Sequence, residues 1–434
     1  MARKMKDSGI EWIGEIPEGW EISKVSYFYE VQLGKMLQPQ KKSETDTEEK
    51  YLCAANVGKN SLSLDTLKTM WFSQTEKHQF DLKEGDLLVV EGGDVASCAI
   101  IETPVRNLFF QNALHRVRPL HNESVAFLRY WLMTAKSYGY IDLICNKATI
   151  AHFSKEKFIA LSIPVIPQDI QSKIVSFLDL ECKQIDDLLS KTRSSIEEYK
   201  KLKQAVITQA VTKGVRGERE MKDSGVAWIG EIPKEWGQTK VKMVASFFNG
   251  DRTSRYPQPT DFVDNGIAFL TSRNIAGDEV DLSEVKYITE SKYNSLSGAK
   301  IQINDIVFCL RGSVGKCAIN QTLSCGTVAS SLATIRPNRV HPKYLLYFLL
   351  SDIASTQTAI FMNGTCAANL SAENVANYYI TLPISAEQKE IADYLSAKCA
   401  EIDRLIAKKE QLVKELESYK KSLIYEVVTG KREV

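Results

Sequence analysis

Polar and apolar residues between Gln168 and Thr212 alternate in the pattern of a helix that packs against a second helix. Seven residues form an apolar stripe, and its neighbours lie three or four positions apart except for one step of a full heptad. The stripe consists of Ile174, Leu178, Cys182, Ile185, Leu189, Ile196 and Tyr199. Lys, Glu and Gln fill the other faces, and neither proline nor glycine interrupts the pattern before Gly214. The pattern predicts one continuous helix over this segment.

The same stripe returns near the C-terminus, 217 positions later. Its members are Ile391, Leu395, Cys399, Ile402, Ile406, Val413 and Leu416. Because each stripe needs an apolar partner, we expect the two helices to pack side by side. The chain between them returns to its start through a second copy of the same region, so the helices should run antiparallel.

A short segment near the N-terminus is also repeated, as Met5–Glu21 and Met221–Gly237, with a shift of 216 positions. The apolar residues of its first copy are Trp12, Ile13, Ile16 and Trp20. A proline in each copy favours an irregular packed arm over a helix. The second arm directly follows the first long helix. We therefore expect the first arm to pack near Tyr425–Lys431, at the end of the second.

The region between arm and helix occurs twice, but only short islands of it match. Gly85–Val89 corresponds to Asn304–Phe308, and Asn146–Ser154 corresponds to Asn363–Ser371. Most islands are short β-type runs bounded by Gly, Asp and Asn, as in a compact and largely β domain. Ser124–Ser137 and Pro342–Thr356 are predicted to be helical. Two domains of one fold that recognise different ligands would show this combination of kept scaffold and altered loops.

These patterns together predict an α+β protein. It consists of two similar domains of mixed α/β structure in which strands predominate. Two long antiparallel coiled-coil helices separate these domains, and the whole chain forms a pseudo-two-fold internal repeat. The predicted boundaries are 1–160 for the first arm and domain, 161–216 for the first spacer helix, 217–383 for the second arm and domain, and 384–434 for the second spacer helix.

Composition narrows the class of protein further. A length of 434 residues and a hydrophobic content of 44% allow two or three buried cores. No signal peptide and no apolar run of roughly 20 residues is present, so no membrane association is expected. The nine cysteines contain no C-x-x-C pair, which argues against disulfides and zinc and favours the cytoplasm. The net charge of +1 neither indicates nor excludes a nucleic-acid partner.

Catalytic motifs are mostly missing. The chain has no phosphate-binding G-x-x-x-x-G-K-[ST] run, no G-x-G-x-x-G run between a strand and a helix, and no methyltransferase active-site motif. Its five histidines lack the spacing of metal ligands. Two nuclease-like E-x-K triplets, Glu284–Lys286 and Glu290–Lys292, have Asp278 and Asp281 upstream but lack the usual preceding Pro-Asp. The sequence thus predicts a protein that binds a ligand without transforming it, and without metal or cofactor.

Two unequal domains held at a fixed separation suit double-stranded DNA with two unequal sites. A helix of about 45 residues is roughly 65 Å long, close to two turns of B-DNA. Polar residues near glycine-rich turns are the candidate DNA contacts. In the first domain they are Asp94, Asn146, Lys147 and Thr149. In the second domain they are Arg252, Arg255, Arg273, Arg311, Ser313, Lys316, Asn363 and Thr365.

Three motifs carry a resemblance to a known family: the W-I-G-E-I-P-x-x-W arm, the R-G-S-V-G-K-C-A-I island and the I-P-x-x-x-Q-x-x-I entry to the long helix. Together they resemble the specificity subunit of Type I restriction–modification enzymes, and so does the order of arm, domain and helix. The resemblance extends from Met5 to Gly430. The first domain departs from it at one turn, with Gly92-Gly93-Asp94 where the second has Arg311-Gly312-Ser313.

The resemblance implies a non-catalytic subunit with two target-recognition domains, each reading half of a split DNA sequence. It also implies a complex with two methyltransferase subunits and two motor–nuclease subunits, to which the methyl donor and ATP would belong. Two alternatives stay open. One is a DNA methyltransferase or nuclease with an unrecognised active site, and the other is a structural adaptor without its own DNA specificity.

Overall fold

A computed structural model describes residues 3–58, 61–145, 151–362 and 369–434. The chain forms two compact units, one of residues 1–192 with 411–434 and one of residues 193–410, here called unit 1 and unit 2. Each unit holds one arm, one largely β domain and part of both long helices. The sequence-based division into four segments gives each long helix a segment of its own, and it stays a prediction.

Unit 1 holds eleven strands among the residues described. They are β1 (Met5–Asp7), β2 (Glu15–Pro17), β3 (Glu21–Lys24), β4 (Tyr29–Leu33), β5 (Thr47–Leu52), β6 (Lys68–Phe72), β7 (Leu87–Val90), β8 (Cys98–Ile100), β9 (Leu108–Phe110), β10 (Leu114–Pro119) and β11 (Ser162–Val165). Its helices are α1 (Gln74–Gln79), α2 (Val125–Ser137), α3 (Tyr140–Ile144), α4 (Lys155–Ile159) and the long α5 (Gln168–Lys213), which continues into unit 2.

Unit 2 repeats this order of elements with one additional strand. Its strands are β12 (Met221–Asp223), β13 (Glu231–Pro233), β14 (Gly237–Lys240), β15 (Ala245–Asn249), β16 (Phe262–Val263), β17 (Ile267–Leu270), β18 (Lys286–Ile288), β19 (Ile306–Cys309), β20 (Cys317–Ile319), β21 (Gly326–Val328), β22 (Leu332–Pro337) and β23 (Tyr379–Leu382). Its helices are α6 (Glu290–Ser295), α7 (Pro342–Leu350), α8 (Asp352–Met362), α9 (Ala372–Ala376) and α10 (Ser385–Val428), which ends in unit 1.

A four-stranded antiparallel sheet lies at the centre of each unit. Its order is β4-β10-β7-β8 in unit 1 and β15-β22-β19-β20 in unit 2. A smaller sheet, β6-β5-β9 or β16-β18-β17-β21, contains one parallel pair in each unit. The predicted α+β class with an internal repeat is confirmed.

The middle strand β7 is buried on both faces, which explains its uninterrupted apolar sequence. Leu87 and Val89 point into a core that also contains α2, while Leu88 and Val90 point into a core shared with the smaller sheet. Strand β19 divides its residues between two cores in the same way. Each central sheet is therefore the middle layer of its unit.

A buried ion pair fixes one end of each central sheet. The guanidinium of Arg118 donates to both carboxylate oxygens of Asp86, at 2.5 and 2.8 Å. Arg336 donates to Asp305 at 2.9 and 2.8 Å. Both aspartates are almost fully buried, so the pairing replaces the hydration that burial removes. These four residues belong to islands that match between the two copies.

The two long helices pair antiparallel in each unit, as predicted from the apolar stripes and the order of the repeat. In unit 1 the first part of α5 packs on the last part of α10, and Lys420 donates to Asp186 at 2.6 Å. In unit 2 the last part of α5 packs on the first part of α10, and Lys203 donates to Asp403 at 2.7 Å. Helix α5 ends one residue beyond the predicted limit, before Gly214, which adopts a φ of +78°.

The helix predicted over Ser124–Ser137 is confirmed as α2, which begins after its cap Ser124. The segment Pro342–Thr356 is helical as predicted, but it is divided between α7 and α8, with a break at Ser351. Extended backbone at Ser351 ends α7, and the Ser351 hydroxyl accepts a hydrogen bond from Ala354 N at the start of α8.

Among the described residues no single helix is long and apolar enough to span a membrane. Helices α7 and α8, which are bent by 61° relative to each other, reach that length and apolarity only when they are taken together.

The first arm packs on the end of α10, as predicted. Lys431 Nζ and the hydroxyl of Tyr425 both donate to the carbonyl oxygen of Ile13, at 2.8 and 2.9 Å. Ile13, Ile16 and Trp20 are buried in the core that contains the end of this helix. The second arm packs on the end of α5 in the same manner.

The arm should therefore contribute to stability. Replacing Ile13 with Ala should lower the free energy of unfolding by about 2–5 kcal/mol, because it leaves a cavity in a closed core. Replacing the exposed neighbour Glu11 with Ala is the matched control. Urea denaturation followed by tryptophan fluorescence measures both. Equal urea midpoints for the two variants would show that the arm does not contribute to stability.

Candidate nucleic-acid interface

Three loops of unit 2 meet at one end of the central sheet. They comprise residues 250–256 after β15, residues 310–316 between β19 and β20, and residues 329–331 before β22. Because these strands are antiparallel neighbours, the end of β15 and the end of β19 both lie beside the start of β22. We call these residues the loop end of unit 2. The loop end of unit 1 comprises residues 34–38, 91–97 and 111–113.

Hydrogen bonds connect the loops of unit 2. Arg252 Nε donates to the carbonyl oxygen of Ser330 at 3.3 Å, and the amide of Leu310 donates to the carbonyl oxygen of Ser331 at 2.9 Å. Arg311 Nε donates to Asn369 Oδ1 at 3.0 Å. The structure thus brings Arg252 and Arg311, which are 59 positions apart in the sequence, to one end of the sheet.

Glycines shape the turn that holds Arg311, Ser313 and Lys316. Gly312 and Gly315 adopt φ values of +74° and +88°, which other residues rarely adopt. All three predicted side chains are exposed. The backbone of Lys316 pairs with Cys309, the last residue of β19, at 2.8 Å, so the turn closes tightly over the strand.

The equivalent turn of unit 1 carries a different set of charges. Asp94 accepts from Lys136 Nζ at 2.6 Å and from the hydroxyl of Ser97 at 2.5 Å. Glu91 pairs with His152 at 3.0 Å. The backbone pairs Gly92 with His152, as it pairs Arg311 with Asn369 in unit 2. One backbone geometry therefore presents acidic groups in unit 1 and basic groups in unit 2.

The other predicted contacts fall into two groups. Arg255 lies in the same loop as Arg252, and Arg273 lies in the turn that follows β17; both are exposed. The last residue of β17 accepts a backbone hydrogen bond from Ala329, at the loop end. The remaining predicted contacts, Asn146, Lys147, Thr149, Asn363 and Thr365, lie outside the described residues.

Two glycines outside the sequence motifs allow close backbone packing at the loop ends. A Cβ atom on Gly34 would lie 2.2 Å from the carbonyl oxygen of Gln111, and one on Gly250 would lie 2.2 Å from that of Ala329. Neither backbone has room for a side chain. The two glycines are 216 positions apart, as are the two arms. This equal spacing is the feature of the sequence that could have identified them.

The residue after each of these glycines is charged and buried. Lys35 donates to Glu76 and to Gln38 Oε1, the latter at 2.9 Å. Asp251 accepts from Thr253 N at 2.7 Å and from Ser297 N at 2.8 Å. Burial alone would raise the pKa of Asp251, but these hydrogen bonds outweigh it and hold the pKa well below its usual value.

The family model of the Type I restriction modification DNA specificity domain matches this chain twice, over residues 17–198 and 233–416. The chain belongs to this family. The two matches correspond to the two copies seen in the sequence, and the predicted resemblance is confirmed. Each match begins within an arm and ends within a long helix.

Curated relatives agree with the family assignment. The specificity subunit of the Type I restriction enzyme MjaVIII from Methanocaldococcus jannaschii is 23% identical, over 96% of this chain and 93% of its own length. The EcoBI specificity subunit from Escherichia coli is 25% identical over 58% of this chain and 55% of its own length.

Two solved structures share the fold of this specificity-domain protein. One, described as the structural basis of complex assembly and conformational transition of the type I R-M system, has a TM-score of 0.72 at 14% identity and covers 95% of this chain and 98% of that chain. The HsdS subunit from Thermoanaerobacter tengcongensis has a TM-score of 0.52 at 14% identity, over 96% and 98% of the two chains.

The two close-packed glycines give a test of the loop ends. Gly250→Ala should lower the free energy of unfolding by about 1–3 kcal/mol, because the added methyl group must displace backbone. Gly277→Ala, where nothing lies within 4 Å of the new Cβ atom, should change stability by less than about 0.5 kcal/mol. Urea denaturation of both variants provides the comparison. A Gly250 variant as stable as the control would mean that the loop end adapts freely.

Proposed function

We propose that this chain is a non-catalytic DNA-recognition subunit that reads a bipartite, asymmetric target in double-stranded DNA. Each unit reads one half through its loop end. The observation that carries the proposal is the equivalence of the two loop ends. Their backbones are alike at Gly34 and Gly250 and at the bridges to His152 and Asn369, while their side chains differ in charge. A conserved frame with altered side chains suits two base sequences read in one way.

Arg311 is the candidate with the most defined geometry. Its Nε is held by Asn369 Oδ1, and its terminal nitrogens make no hydrogen bond within the part of the chain that the structure describes. A guanidinium fixed at Nε presents its other donors in one direction, as bidentate contact with guanine O6 and N7 requires. We assign base contact to Arg311 and Arg252, and phosphate contact to Lys316.

The remaining candidates complete the two proposed surfaces. In unit 2 they are Arg255, Arg273, Ser313, Asn363 and Thr365, and in unit 1 they are Asn146, Lys147 and Thr149. Asp94 of unit 1 is better suited to hold its turn, because it pairs with Lys136.

The relatives' names extend the proposal to partners. The curated relatives are specificity subunits of Type I restriction enzymes, and one structural neighbour is described in terms of complex assembly of such a system. We propose that this chain assembles in the cytoplasm with two methyltransferase and two motor–nuclease subunits. The long helices would act as the spacer between the half-sites, and methyl donor and ATP would bind to the partners.

The nuclease alternative has little support in the geometry. Of its acidic and basic residues, Lys292 pairs with Asp261 at 3.0 Å and Asp281 accepts from the amide of its neighbour Ser283 at 2.8 Å. Asp278 pairs with Lys203 at 3.6 Å. Lys292, Asp281 and Asp278 are thus engaged in three separate local contacts.

Selection of binding sites from random duplex DNA, with methyl transfer measured in parallel, tests the function. The full chain together with its methyltransferase subunits should retain one split sequence, and the purified chain alone should transfer no methyl group. Methyl transfer by the chain alone would establish the enzyme alternative. Retention of DNA without sequence preference would establish the adaptor alternative.

Two substitutions in the turn of unit 2 should separate phosphate contact from base contact. Lys316→Ala should weaken binding to all DNA alike and reduce the slope of log K against log salt by about one. Arg311→Ala should cost roughly 1–3 kcal/mol on the cognate site and relax one base position. Kd measured on cognate and random duplexes across a salt series gives both quantities.

Matched controls lie at the other end of the same sheet. Lys242 and Arg339 are exposed there, and their Ala variants remove the same charges from unit 2. If these controls lower affinity as much as the turn variants, net charge and not the turn would explain the effect. Equal losses for Arg311→Ala on cognate and random DNA would contradict its role in base reading.

A further inference from the structure

The second residue after each close-packed glycine has an exposed side chain, although the residue before it is buried. Met36 in unit 1 and Arg252 in unit 2 each lie two residues after the glycine, and they are 216 positions apart. The strands that precede them, β4 and β15, pair with β10 and β22 in the same register. Met36 and Arg252 therefore occupy one equivalent place at the two loop ends.

In unit 1 buried polar groups hold the exposed residues from both sides. Lys35 and Gln38 are both 6% exposed and bond to each other. Gln38 also donates to Asp46 at 3.2 Å and accepts from the amide of Trp71 through its carbonyl oxygen at 3.1 Å. Between these anchors Met36 is 75% exposed. The loop thus holds two large apolar side chains in water on a fixed backbone, Met36 and its neighbour Leu37, of which Met36 is the more exposed.

In unit 2 the anchor is Asp251, which is 4% exposed. Its carboxylate bonds to the amide and the hydroxyl of Thr253 and so closes a turn around Arg252. The Nε of Arg252 is held by the carbonyl oxygen of Ser330, and the terminal nitrogens make no hydrogen bond to the residues described. The side chain of Arg252 is exposed, so its terminal donors are accessible to a ligand.

We propose that this position reads one base pair in each half-site, through the 5-methyl group of thymine at Met36 and through guanine at Arg252. An exposed thioether side chain offers only van der Waals contact, and in the major groove the methyl group of thymine is the apolar feature. Arg252 offers the paired donors that match guanine O6 and N7. The two half-sites should thus differ at equivalent places, T in one and G in the other. This inference rests on the proposed function.

Exchange of the two side chains tests the assignment. Site selection from random duplex DNA is carried out with the full chain and its methyltransferase subunits, for wild type, Met36→Arg and Arg252→Met. Met36→Arg should change T to G at one position of the first half-site only. Arg252→Met should lower affinity for the original site by about 10- to 100-fold and change G at one position of the second half-site. Met243→Arg is the control, since Met243 is exposed at the opposite end of β15.

A chemical change in the DNA isolates the methyl contact. Replacing the selected thymine with deoxyuridine removes only the methyl group. It should weaken binding of wild type several-fold and leave binding of Met36→Ala unchanged. Selected half-sites that stay the same in both exchange variants, or equal wild-type binding to thymine and deoxyuridine, would overturn the inference while specific DNA binding stands. Loss of sequence preference in the wild type itself would instead overturn the proposed function.

Discussion

Each unit depends on a central sheet that is buried on both faces. Because β7 and β19 contact helices on one side and a second sheet on the other, their backbones cannot shift without disturbing two cores. The Asp86–Arg118 and Asp305–Arg336 pairs fix one end of this sheet. What remains free to vary is the opposite end, where the strands open into loops. In the function that we propose, the packing of the rest confines the recognition residues to this end.

Duplication of this frame explains which parts of the sequence are repeated. The matching islands contain the residues that build the sheet, the buried ion pair and the turns next to it. The residues that differ sit on top of that frame: Glu91 with His152 in unit 1, Arg311 with Asn369 in unit 2. The same separation appears at the buried anchors Lys35 and Asp251, which carry opposite charges at one backbone position. Packing restricts the frame but not the charge that it presents.

Periodicity was sufficient to predict the long helices, because a helix that packs on a partner needs apolar residues at regular spacing. The internal repeat predicted their antiparallel direction and the packing of the arms, because it fixes the order in which the parts follow one another. The loop ends were less predictable. Arg252 meets Ser330 across 78 positions, and Asp94 meets Lys136 across 42, and no local pattern encodes such contacts. The break between α7 and α8 was missed because Ser351 is not a strong helix breaker and acts through its hydroxyl as a cap. The candidate residues of unit 2 were largely assembled as a set, whereas Asp94 in unit 1 serves its own turn.

The anchors at the loop ends suggest why buried charges are kept there. Placing Lys35 and Asp251 in a dry environment costs several kcal/mol unless every polar atom finds a partner, and apolar residues would stabilise the fold as well or better. Their hydrogen bonds instead fix the loops on either side of Met36 and around Arg252. A side chain whose backbone is already ordered loses less entropy when it contacts DNA, so more of its contact energy remains to discriminate between bases. A mobile loop with the same exposed side chain would bind more weakly and would tolerate the wrong base more easily. The desolvation cost is thus consistent with a site at which one base pair must be distinguished from three others.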